Sequence, residues 1–84
     1  MPRITYYARI DASHPADRPT GIVRRIHTEP VPTDEAFTRN MRWEPTEYLR
    51  RYWLGHNDDE HVEISEEQAE RVISGWREQY GRDR

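Results

Sequence analysis

The chain has 84 residues, 33% of them hydrophobic and 35% charged, so it has material for one small domain with a thin core. It has no cysteine, which excludes disulfides and thiolate metal sites, and no apolar run near the roughly 20 residues that span a bilayer. The formal charge of −3 hides a split: residues 1–54 carry nine arginines against seven acids (+2), residues 55–84 four against nine (−5).

The start, Met1-Pro2-Arg3-Ile4, runs straight into a strand pattern without a signal peptide, which predicts a cytoplasmic protein. Ile4, Tyr6, Ala8 and Ile10 alternate with Thr5, Tyr7 and Arg9, the period of two that defines a strand. Residues 11–20 hold Asp, Ser and Pro and read as a loop; residues 21–28 read as a second strand. A stiff connection over 29–34 leads to a third strand over 35–42, with Phe37 and Met41 on one face.

Glu44-Pro45-Thr46-Glu47 opens a helix, because proline in a first turn removes an N–H that would be unsatisfied anyway. Tyr48, Leu49, Tyr52 and Trp53 take one side of it, Arg50 and Arg51 the other, and Gly55 stops it. Residues 61–64 read as a short strand. Ser65 with Gln68 forms a capping box, acidic Glu66 and Glu67 suit the positive end of the helix dipole, and Ala69, Val72, Ile73, Trp76 and Tyr80 make one apolar stripe. Gly75 sits beside that stripe. The order β-β-β-α-β-α predicts an α+β domain over residues 1–84: a small, mainly antiparallel sheet with two helices packed on one face. With leucine only at 49 and 54, the aromatic rings must supply much of the core.

Three groups of residues stand out for function. If the 29–34 connection sets Thr28 opposite Glu35, then Arg24 faces Arg39 on the apolar side of the sheet. Like charges across a ladder repel, so the pair is a candidate anion site unless both side chains escape to solvent. The other face presents Tyr7, Arg9, Arg25, His27 and Arg42, cations beside a stacking ring, as in binders of single-stranded nucleic acid or phosphate. The third group is acidic: Asp58, Asp59, Glu60, Glu63, Glu66, Glu67 and Glu70, seven carboxylates with no arginine among them. Such a surface steers a basic partner.

The run His56-Asn57-Asp58-Asp59-Glu60-His61 has the atoms of a metal site but the spacing of neither a calcium loop nor a helical histidine pair, so no metal and no cofactor are expected. Three serines, no cysteine and no glycine-rich turn make a poor inventory for nucleophilic catalysis, and a small enzyme would need a pocket that joins His27 or His14 to carboxylates. The expectation is a non-catalytic, macromolecule-binding domain that meets another protein through the acidic surface. The alternative is nucleic acid or phosphate on the Arg/Tyr sheet face. A homodimer joining one copy's basic face to another's acidic end is compatible with the charges, and no membrane role is expected.

The segments Glu35-Ala36-Phe37-Thr38-Arg39, Arg42-Trp43-Glu44-Pro45-Thr46, Gly55-His56-Asn57-Asp58-Asp59 and Val62-Glu63-Ile64 resemble short uncharacterised proteins of high-G+C Gram-positive (actinobacterial) bacteria. A basic complement made wholly of arginine fits such a G+C-rich source. The resemblance runs over most of the chain after Thr20 and implies a compact bacterial cytoplasmic domain. It implies no activity, cofactor or site residue.

Overall fold

A computed structural model describes residues 3–15, 17–38, 40–53 and 60–81. Five strands and two helices follow in the order β1 (Ile4–Ile10), β2 (Gly21–Ile26), β3 (Thr33–Phe37), β4 (Trp43–Pro45), α1 (Tyr48–Trp53), β5 (Glu60–Ile64) and α2 (Glu66–Gly81). The strands form one antiparallel sheet in the order β4-β3-β2-β1-β5. The α+β class and the antiparallel sheet are as the periodicities predict.

The third strand begins at Thr33 and ends at Phe37, five residues short of the expected Arg42. Thr38 folds the chain back: its backbone N–H donates to the Arg42 carbonyl at 3.0 Å, its carbonyl accepts from Met41 N–H at 3.0 Å, and its hydroxyl accepts from Asn40 N–H at 3.2 Å. The threonine hydroxyl offers the backbone a local partner in place of a ladder. Met41 takes a φ of 59°, a left-handed conformation unusual for a bulky side chain, and packs on the core as it does so. Trp43–Pro45 then returns as β4, a strand the expected helix start at Glu44 conceals.

The register differs as well. Arg24 stands opposite Glu35, not Arg39, and Arg25 opposite Asp34. The shift is four residues, an even number, so every side chain keeps its expected face while every partner changes.

The helices lie on opposite faces, not on one. Tyr6, Ala8, Ile22, Phe37 and Ile64 close onto Ala69 and Ile73 of α2, with Met41, Trp43, Val72 and Trp76 around the border. Val23 points the other way and closes onto Tyr48 and Leu49 of α1, with Tyr7 and Ala36 beside them. Neighbouring Ile22 and Val23 are both fully buried, which requires cover on both sides of β2. α1 has six residues, too few to hold as a free helix. Thr46 starts it, its hydroxyl accepting from Tyr48 N–H at 3.2 Å, and the burial of Leu49, worth about 1.5–3 kcal/mol, fastens it to the sheet.

α2 begins as the capping box predicts. Ser65 N–H donates to the Gln68 side-chain oxygen at 2.9 Å, and Gln68 N–H returns a bond to the Ser65 hydroxyl at 3.1 Å. No described helix is long and apolar enough to cross a membrane.

Candidate functional site

The acidic residues gather at one edge of the sheet. Among the described residues β5 pairs with β1 alone, so it is the outermost strand of the sheet. Glu60 and Glu63 are both exposed, and their odd spacing sets them on opposite faces of that strand. Glu66 and Glu67 follow in the first turn of α2 and Glu70 one turn later, all exposed. Glu67 meets Arg71 at 3.4 Å; the other four make no ion pair among the described residues. Asp58 and Asp59 lie outside the described residues.

The two sheet edges are unlike. β4 is three residues long and ends in Pro45, which has no N–H to donate. β5 is five residues long without proline, and Val62 at its centre is exposed. Short length and proline are means by which an edge is closed to further pairing, and β5 has neither.

The sheet face expected to be open is covered by α1, and its cations are engaged. The Arg25 guanidinium donates from Nε and Nη2 to the two oxygens of Asp34, at 2.7 and 2.8 Å, which raises its already high pKa. Arg9 lies over the Tyr48 ring, 4.4 Å from its centroid. Tyr7 meets the His61 ring edge-on at 5.1 Å, and the Tyr48 hydroxyl reaches His61 Nδ1 at 3.3 Å. Burial among these rings pushes the pKa of His61 down. His27 shares a 2.8 Å hydrogen bond with the Thr5 hydroxyl. Arg42 belongs to the β3–β4 turn, three strands from β1 and so about 14 Å away, where it faces Glu44 at 3.6 Å.

The Arg24–Arg39 anion site does not form as expected. Glu35 occupies the cross-strand position facing Arg24, accepting from Nε at 2.8 Å and Nη2 at 2.6 Å, and the Trp43 ring lies 4.1 Å from the guanidinium carbon. Arg39 itself lies outside the described residues. The carboxylates that absorb these arginines, Asp34 and Glu35, are the residues a sequence reading passes over. Their signal was available in outline: two consecutive arginines in β2 and two consecutive acids in the next strand pair at a single register.

No protein-family model, curated protein or solved structure matches the chain.

Proposed function

We propose that this chain is a protein-binding domain whose β5 edge receives an extended, basic segment of a partner. The observation that carries the reading is the placement of Glu60 and Glu63 on the two faces of the outermost strand β5, with Glu66, Glu67 and Glu70 continuing the charge onto α2. A partner strand added beside β5 would continue the antiparallel sheet, and its arginines or lysines would meet glutamates above and below it. The same charge opposes edge-to-edge pairing of two copies, because both bring carboxylates to the contact.

The reading on nucleic acid has less support. α1 lies over the face it needs, and Arg9 and Arg25 are already held by Tyr48 and Asp34. A homodimer that seats an acidic end on that face meets the same cover.

The test is an amide NMR titration of the labelled chain with a short peptide alternating arginine and valine, against a single-stranded oligonucleotide as counter-probe. The expected result is salt-sensitive shifts along residues 60–64, slowed amide exchange in β5, and weaker binding by Glu66→Arg/Glu67→Arg. Shifts confined to Tyr7, Arg9, Arg25 and His27 on adding the oligonucleotide would instead overturn the proposal in favour of nucleic acid.

A further inference from the structure

We infer that the groove between the 11–20 loop and α2 binds a small organic anion built on a flat ring, a phosphate or carboxylate at one end and the ring at the other. The groove is open to solvent and holds about 590 Å3, a volume in the usual range for small-molecule sites. His14, Asp17 and Arg18 line it from the loop; Arg71, Gly75 and Trp76 line it from α2.

The loop is shaped to present its side. Asp11 and His14 exchange backbone hydrogen bonds at 3.1 and 3.2 Å, and the Asp11 carboxylate accepts from His14 Nδ1 at 2.9 Å and from Ser13 N–H at 2.8 Å. Those donors, His14 first, hold the Asp11 carboxyl below its usual range. Arg18 closes the next turn, its N–H donating to the Pro15 carbonyl at 2.9 Å, and its guanidinium makes no ion pair among the described residues. Among the described residues Arg71 pairs with Glu67 alone, at 3.4 Å, a solvent-screened contact that a better anion displaces. Two available guanidinium groups on one groove are suited to an oxyanion.

The ring end follows from Trp76 and Gly75. Trp76 is half-buried and stacked on Phe37, with centroids 6.2 Å apart and planes at 22°, so its position is fixed while its remaining surface lines the groove. Gly75 is exposed in the middle of the helix, where alanine would be favoured. A Cβ built there meets nothing within 4 Å. Packing inside the chain therefore gives no reason for glycine, whereas a ligand lying against the helix backbone does. Asp17, a carboxylate on the same groove, repels a bare inorganic anion and accepts a hydrogen bond from a ring donor, which selects for the two-part ligand.

The experiment is an NMR titration of the full chain with adenosine 5′-monophosphate and with 4-hydroxybenzoate, alongside inorganic phosphate and adenosine as single-group controls. Saturable shifts at Arg18, Gly75 and the Trp76 indole with either two-part probe, stronger than with the controls, are expected; which probe wins separates phosphate from carboxylate. Arg18→Ala and Arg71→Ala, both exposed and harmless to folding, should each weaken binding about tenfold. Gly75→Ala should keep the fold and weaken binding as well. Absence of saturation below about 10 mM for both two-part probes overturns the proposal. So does unchanged binding in the two arginine variants or in Gly75→Ala.

Discussion

Arg24 and Glu35 are cross-strand partners whose side chains meet at a single oxygen: Nε and Nη2 of the arginine both donate to Oε1 of the glutamate. The pair sits on the α2 side of the sheet, the face that also carries Tyr6, Ile22 and Phe37, and both members are about four-fifths shielded from water. Glu35→Ala should destabilise the fold by roughly 1–3 kcal/mol, because it leaves a shielded guanidinium without its acceptor. Replacing both with leucine and methionine should recover most of that loss. Urea midpoints of Glu35→Ala, Arg24→Ala and the double alanine variant measure the coupling.

Gly75→Ala gains helix propensity without meeting a neighbour. It should stabilise the chain by about 0.5–1 kcal/mol. A rise in Tm of about 4–8 °C per kcal/mol, in the absence of ligand, is the expected reading for a domain of this size.

Ser65→Ala removes the hydroxyl that accepts from Gln68 N–H and half of the reciprocal cap. A loss of about 1 kcal/mol is expected, with faster amide exchange over the first turn of α2. Gln68→Ala should cost less, since Ser65 N–H can turn to water.

His61 has a folded pKa below its ordinary 6.5. The unfolded chain therefore binds the proton more readily than the folded one between those two values. The stability contributed by neutral His61 is complete above about pH 7 and declines as pH falls through 6.5 towards the folded pKa. His61→Phe keeps a ring beside Tyr7 and removes the titration. Its Tm, plotted against pH, should fall less steeply between pH 7 and 5 than that of the unaltered chain.

How much of this was legible depended on whether local chemistry or a distant partner decides. β1 and α2 could be read because alternation and a capping box are complete within a few residues. The β3–β4 turn could not, because Phe37 and Met41 keep the parity of an unbroken strand while Thr38 bonds the chain back on itself. Strand pairing was hidden for a related reason: an even slip preserves every face, so the hydrophobic pattern cannot detect it. The side taken by α1 did have a signal. Tyr7, Val23 and Ala36 are apolar or aromatic residues on the face read as solvated, and they mark what Tyr48 and Leu49 cover. The acidic residues 60–70 were placed at one end by sequence; that they border the outermost strand of the sheet emerged only from the strand order. The groove beside Gly75 joins residues more than fifty positions apart, which no local pattern foretells.

The inequality between the two sheet edges also limits what the molecule can build. A unit with two reactive ends polymerises; a unit with one end terminates. With β4 shortened and closed by Pro45, the strand addition proposed at β5 would make the sheet a chain stopper. It would yield a discrete complex of fixed stoichiometry, because a filament would have no second face from which to grow.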